Sequence, residues 1–500
     1  MLKISCEKLQ KKENLRETLQ LLRNEAKDGE KAEELRKLLG DGSLLRELLR
    51  EEEPKVRKNA ALLLGDLKMQ QAAGALWEAY QRETTLFVKS SYLAALGKLE
   101  AADDFAEPLR QRMETLSQLV PAENEKKHVN EEIRELSKLL TRIEGVKKHT
   151  FRGFQNPHEM VLTTNHGSRN VTAGEAAELS EAMRRTVKPH PLGVLVCTKE
   201  IQPFARLRTY RELLFPIHGK GDLHREPEAA AADIWQSDLW DFLTECHKEE
   251  PPFYFRLELK TKMDLAERSS YARKFSAELE RISNRRLINS TGDYEIEIRL
   301  LESRDGKRIP FLKLFTIQDK RFSYRKHAVA SSIHPAAAAM LVRLAQPYLK
   351  EDARILDPFC GVGTMLVERD ILVPAREKYG IDIFGEAVEG ARENAGLAGE
   401  KINFIHRDYF DFTHKYLFDE IITNMPVRGK KTKGEMDDFY AAFFEKSGTL
   451  LSAGGKIIFY SNEEGFVKKQ LRLHCEYRLL QEFCIREKEH FYLYIVEVKG

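Results

Sequence analysis

Four polar positions in the last third of the chain stand at the ends of short apolar runs, where a side chain can reach a ligand. Asp357 closes Ile355-Leu356-Asp357 and leads into Pro358-Phe359-Cys360-Gly361-Val362-Gly363-Thr364. Asp382 falls in Tyr379-Gly380-Ile381-Asp382-Ile383, Asp408 in His406-Arg407-Asp408-Tyr409, and Asn424 opens Asn424-Met425-Pro426-Val427. Gly361 and Gly363 allow backbone to come close to a ligand where a Cβ would clash. The helix that starts at Thr364 presents free N–H groups, which suit a carboxylate or a phosphate. A carboxylate at Asp382 can accept hydrogen bonds from both hydroxyls of a ribose, and one at Asp408 can accept from an adenine amino group. Each acid alone is more often a turn residue or a helix cap. Their recurrence after successive strands is the more specific signal.

Those positions require a sheet that brings strand ends together. From 321 to 500 strands alternate with helices: Arg354–Pro358, Tyr379–Ile383, Ile402–Arg407, Glu420–Asn424, Lys456–Tyr460, Arg478–Arg486 and Phe491–Val498. The pattern predicts an α/β, Rossmann-like, doubly wound and mostly parallel seven-stranded sheet, with ligands at its carboxyl edge. Glu487-Lys488-Glu489-His490 joins the last two strands as a hairpin, which places one antiparallel strand in the sheet.

Two other regions precede it. Residues 146–320 read as α+β: strand-like runs include Met160–Thr164 and Gly193–Cys197, and Phe253–Leu259 and Tyr294–Leu300 alternate as half-buried antiparallel strands do, with a helix over Leu265–Ile282 between them. Residues 1–145 read as all-α. There Val56–Leu67 returns as Val88–Leu99, with Gly65 and Gly97 in register at an offset of about 32 residues, within the range of stacked helical repeats. The echo resembles short HEAT-type repeats, each a helix, a glycine-containing turn and a second helix. They offer either a docking surface for a protein partner or RNA, or a shielding domain. Glu123–His128 reads as a solvated helix or connector.

The order Asp-Pro-Phe-x-Gly-x-Gly-Thr, an acid after each of the next two strands, then Asn-x-Pro after the fourth resembles a class I S-adenosylmethionine-dependent methyltransferase. The Asp-Pro-Phe and Asn-x-Pro forms narrow the resemblance to enzymes that methylate exocyclic amines of nucleobases. Tyr324-Arg325-Lys326-His327 and Ser331–Ala339 are similar to the lead-in of THUMP-associated RNA methylases, and 146–320 resembles their ferredoxin-like and THUMP RNA-binding domains, through Arg206–Thr209 and Asn289–Tyr294. The resemblance implies S-adenosyl-L-methionine as cofactor, held by Asp357, Phe359, Gly361, Gly363, Thr364, Asp382, Ile383, Asp408, Tyr409 and Asn424. It implies an RNA substrate, with tRNA guanine N2 as the target and rRNA guanine or DNA adenine as alternatives. Asn424 and Pro426 would handle the amine. The family pattern has an aromatic directly after the proline, where it stacks on the base. Val427 stands there instead, and Tyr409, Phe439 or Tyr440 would have to replace it. A rival reading is a cofactor-sensing interaction protein that has lost catalysis.

Arg428, Lys430, Lys431 and Lys433 sit beside Asn424-Met425-Pro426 and suit a phosphate backbone. Arg325, in a run of cations and aromatics from Lys320 to His327, also suits RNA. The formal net charge of the 500 residues is only +2, so nucleic-acid binding has to rest on such local patches. The six cysteines have no paired metal-ligand spacing, and no metal is expected. Without an apolar run long enough to span a membrane or serve as a signal peptide, the expected location is cytoplasmic.

Overall fold

The computed structural model describes residues 2–119, 121–122, 124–145, 148–165, 167, 169–179, 186–249 and 252–499. Glu123, in the expected connector, lies outside them. The chain forms two compact units that interleave along the sequence. One comprises residues 1–150, 217–310 and 314–316, the other 151–216, 311–313 and 317–500. The middle region is therefore divided between them.

In the first unit the helices from Leu2–Gln10 to Lys126–Glu144 share one apolar core. The echoed segments fold as the helices Pro54–Asp66 and Leu86–Leu96, each followed by a 3₁₀ turn and a further helix. Gly65 belongs to the helix and not to a turn. A Cβ there would lie 2.7 Å from Ala95 Cα, so the glycine lets the two helices touch backbone to backbone. The same unit holds the strand Phe253–Lys260, which runs parallel to Leu287–Asn289 and to Ile296–Glu302. This corrects the expected antiparallel pairing. The helix Leu265–Ile282, opened by a capping box of Asp264 and Glu267, is the crossover that a parallel pair requires. In Ile296–Glu302 the charged residues Glu297 and Arg299 are enclosed, whereas Arg256 and Glu258 on Phe253–Lys260 are half-buried and Lys260 is exposed. Glu297 receives Arg256 and Arg299 and is 1% exposed.

In the second unit His158–Thr163 pairs antiparallel with Gly193–Thr198 and with Leu213–Pro216. The seven-stranded sheet of the same unit consists, in chain order, of Arg354–Asp357, Glu377–Asp382, Asn403–His406, Phe418–Asn424, Leu451–Ser461, Tyr477–Arg486 and Phe491–Val498. Its spatial order is 3-2-1-4-5-7-6. The four pairings among the first five strands are parallel, and the seventh strand is antiparallel to both its neighbours, so the sheet is mixed. Successive residues face opposite sides. Ile422, Ile458 and Ile495 pack with Met365, Leu366 and Val388 on one face, while Ile421, Ile457 and Val496 pack with Phe443, Phe444 and Val467 on the other. Burial on both faces is why these strands read as apolar runs.

One buried ion pair crosses from helix to sheet. Arg369, on Thr364–Leu372, is fully enclosed and donates through Nε and Nη2 to Glu420 on the fourth strand, at 2.9–3.0 Å. Nη1 and Nη2 also donate to the carbonyls of Val373 and Lys350. The two ions are thus hydrogen-bonded to each other and to the backbone, the condition under which a buried pair is tolerated.

Candidate active site at the strand ends

The register places the polar residues along one edge. Gly380 lies opposite Asp357, and Asp382 lies opposite His406. Ile421 lies opposite Leu356, so Asn424, three residues on, falls beyond the end of the first strand. Asp357, Asp382 and Asn424 are the carboxyl ends of parallel strands, and each leads into a loop.

The glycine loop is fastened from both sides. The Gly361 N–H donates to Asp382 Oδ2 at 2.8 Å, and the Phe384 N–H to Asp382 Oδ1 at 2.9 Å. Asp382 thus holds the loop that it faces, and it remains half-exposed with further lone pairs toward solvent. Gly361 has φ +51°, and a Cβ there would meet nothing within 4 Å, so its surroundings are open. Gly363 has φ +80°, and a Cβ would strike the Phe404 ring at 2.8 Å. The second glycine therefore answers to packing, whereas the first borders open space. Thr364 Oγ1, at the first helical position, is buried without a hydrogen-bond partner among the described residues.

Asp357 differs from the role expected of it. It is 1% exposed, and its Oδ1 accepts from Thr423 Oγ1 at 2.6 Å and from the Phe359 N–H at 3.1 Å. Burial raises its carboxyl to about 7, outweighing the opposing effect of the Thr423 hydrogen bond. It ties the fourth strand to the first, immediately before Asn424, and is buried away from the open side. Tyr409 is likewise a core residue, 2% exposed, with its hydroxyl 2.9 Å from Ser447 Oγ. Tyr440 is fully enclosed and bonded to Ser461. Neither is free to stack on a base. Phe439 is half-buried, with Lys431 Nζ 4.6 Å from its ring centroid, and packs beside Phe359 at 5.4 Å.

The rest of the edge is accessible. Asp408 caps the turn Tyr409–Asp411 through Oδ1, which accepts the Phe410 N–H at 3.0 Å, and stays half-exposed. Asn424 and Pro426 are half-buried, and Val427 is 55% exposed. Arg428, Lys430, Lys431 and Lys433 are exposed, and Arg428 donates to the Lys431 carbonyl at 2.9 Å. Ile383 and Phe384 present 58% and 71% of their apolar surface directly after Asp382. Phe384 escaped the sequence reading, although an apolar pair following a strand-end acid was visible in the chain.

The lead-in segment is packed. Tyr324 donates to the buried Glu368 at 2.6 Å, and Arg208 donates twice to the same carboxylate at 2.8 Å. Arg321 is 7% exposed, stacks 3.7 Å from the Tyr210 ring centroid, and bonds the carbonyls of Leu207, Tyr210 and Arg211. Among these aromatics and cations Arg321 and Tyr324 are therefore structural. Arg325 is half-buried, and desolvation lowers its guanidinium below the usual range. Asn394 was missed by the sequence reading. Its Oδ1 accepts the Lys326 and His327 N–H groups, each at 3.0 Å, and its Nδ2 donates to the His327 and Val362 carbonyls. It clips the lead-in to the glycine loop, and nothing in the residue pattern announces a buried asparagine on that helix.

The UPF0020 family model, described as an RMKL-like methyltransferase domain, matches residues 323–489. Those residues are similar to a methyltransferase domain. A stretch of the chain is 33% identical over 129 residues to a tRNA (guanine(10)-N2)-dimethyltransferase of Methanothermobacter thermautotrophicus, which is 25% of this chain and 37% of that protein. It is also 31% identical over 127 residues to an uncharacterized protein of Mycoplasma genitalium, 27% of whose length is covered. The chain thus spans roughly a third of each of these relatives. The crystal structure of TrmN from Thermus thermophilus aligns with 68% of this chain and 99% of its own, at TM-score 0.50 and 20% identity, a likeness of fold. Among the described residues no group of three His, Cys, Asp or Glu could hold a metal ion, and no helix is long and apolar enough to cross a membrane.

Proposed function

We propose that the methyltransferase domain uses S-adenosylmethionine to methylate an exocyclic base amine of RNA, with guanine N2 of tRNA as the target. The observation that carries this reading is Asn424, at the end of the fourth strand and next to the Thr423–Asp357 bond, with the open surroundings of Gly361 on the same edge.

The residues present fit the cofactor. Asp382 keeps acceptor capacity for ribose hydroxyls while holding the Gly361 N–H, and Ile383 and Phe384 give an apolar surface for an adenine ring. Asp408 has one carboxylate oxygen beyond its cap to take an adenine amino hydrogen, and Thr364 has a buried hydroxyl in want of a partner among the described residues. When bound, the cofactor supplies an electrophilic methyl group. The protein's part is alignment, because an exocyclic amine is a weak nucleophile whose lone pair is delocalised into the base. The Asn424 side-chain oxygen accepts one amine hydrogen and a main-chain carbonyl of the Met425-Pro426 turn takes the other. That favours a pyramidal nitrogen with a usable lone pair. Pro426 stiffens the turn.

Val427 supports a second reading, in which the chain binds the cofactor and docks a partner through its helices without efficient transfer. Incubation of the full chain with methyl-labelled cofactor and bulk tRNA separates the two. The main reading expects label in the tRNA with wild type and its loss in Asn424→Ala. Cofactor binding without label, or equal labelling by both proteins, contradicts it.

A further inference from the structure

A groove of about 960 Å³ lies wholly within the first unit, away from the methyltransferase domain's own residues. One wall is the helix Lys126–Glu144, the last of the all-helical region. The other is the crossover helix Leu265–Ile282 and the loop at Asn289–Asp293. The walls are joined beneath by a hydrogen bond from Ser137 to Glu280, which is enclosed and whose carboxyl is raised by burial. Seven cationic side chains line the groove against four acidic ones, and Glu280 is one of the four. Three of the seven are paired: Arg134 and Lys138 with Glu135, and Arg256 with Glu297. Here Lys126, Lys127, Arg273 and Lys274 have no carboxylate within ion-pair distance among the described residues. Arg256 adds a buried Nε–H that has no acceptor among the described residues.

The remaining lining chemistry narrows the ligand. Hydroxyls and amides of Asn130, Ser290 and Thr291 are interspersed with the cations, and no aromatic side chain is present among the lining residues. A site that grips splayed bases stacks them on aromatic rings. Lysine and arginine with hydroxyl and amide groups instead match phosphate oxygens and ribose hydroxyls, which carry no base identity. The net charge of the whole chain, only +2, makes this accumulation local.

We infer that this groove binds the ribose–phosphate backbone of the RNA substrate independently of sequence, with the helical region supplying one wall. This rests on the reading of the protein as an RNA methyltransferase and assigns its helices a share of substrate binding.

The test uses the full chain, with filter binding of bulk tRNA across a salt series. Each phosphate contact removed weakens binding of all RNA sequences alike and lowers the slope of log K against log salt by about one. The double variants Lys126→Ala/Lys127→Ala and Arg273→Ala/Lys274→Ala are made separately and combined, with circular dichroism as the check on folding. The expected result is a slope lowered by about two in each double variant and about four in the combination. Labelling kinetics should show KM raised and kcat retained. Unchanged affinity and slope in folded variants, or no tRNA binding by wild type, overturns the inference. RNA binding that depends on these cations in a chain that labels no RNA upholds the groove and defeats the methylation reading. Labelling with an unaltered salt slope in the variants does the reverse.

Discussion

The strand-end site and the groove of the first unit treat charge in opposite ways. At the strand ends the acids are committed: Asp382 holds Gly361 and Phe384, Asp408 holds Phe410, and Asp357 holds Phe359 and Thr423. In the groove, Lys126, Lys127, Arg273 and Lys274 stand without carboxylate partners among the described residues. Committed groups are fixed by the fold and position a reaction to fractions of an ångström. Uncommitted cations tolerate a ligand of variable shape and act mainly through long-range attraction. The difference teaches where substitutions should be sharp in effect and where they should be gradual.

The steepest expected effect lies beneath the strand-end site. Arg369→Ala leaves Glu420 buried without its partner, and loss of one member of such a pair costs about 3–5 kcal/mol. Denaturant unfolding followed by tyrosine absorbance should record a destabilisation of that size. A loss under 1 kcal/mol would mean that the pair carries little of the fold.

Asp382→Ala removes both a loop anchor and a ribose acceptor. Calorimetric titration with S-adenosylmethionine should show affinity falling on the order of tenfold or more, as expected for a lost hydrogen bond to a charged group. Unchanged affinity would separate Asp382 from the cofactor.

Asp357 gives a pH signature. Its folded carboxyl titrates at about 7, above the 3.8 of an unperturbed aspartate. The stability contributed by the neutral form is fully present below the unfolded value and is lost as pH rises through about 7. Asp357→Asn keeps the acceptor oxygen without the charge. Its melting temperature should match wild type near pH 4 and exceed it near pH 8, by the equivalent of a few kcal/mol at about 1.4 kcal/mol per pKa unit. Parallel curves across that range would show that the carboxyl is not held neutral.

The smallest effect belongs to the groove. Lys274→Ala alone should lower the salt slope of tRNA binding by about one and leave cofactor affinity untouched. A collapse of binding from this single change would make the groove a committed site like the other and erase the contrast.

The strand-end site was largely legible because strands buried on both faces read as apolar runs, and the residue after each run declares itself by polarity. The first unit was less so. The alternation suggested a solvated face in both strands; Phe253–Lys260 has one, yet in Ile296–Glu302 Glu297 and Arg299 are buried by pairing with each other and with Arg256. Periodicity cannot distinguish a charge facing water from one facing its partner. Gly65 read as a turn residue because a glycine needed for helix contact and one needed for a turn are the same letter. Asp357 and Asp382 looked alike in sequence. Only the hydrogen bond from Thr423, across the sheet, shows that one supports the loop from below while the other faces the open side. Asn394 left no trace in the pattern, because its four hydrogen bonds all reach residues distant in the chain.

The central claim is that the ends of the parallel strands methylate an RNA base amine through Asn424. The most direct test is nucleoside mass spectrometry of tRNA after incubation with the full chain and S-adenosylmethionine, beside the Asn424→Ala variant. The account predicts N2-methylguanosine from wild type and at least a hundredfold less from the variant, in line with removal of one positioned hydrogen-bonding group from an active site. Unmethylated tRNA from both proteins, or equal yields from the two, would contradict it.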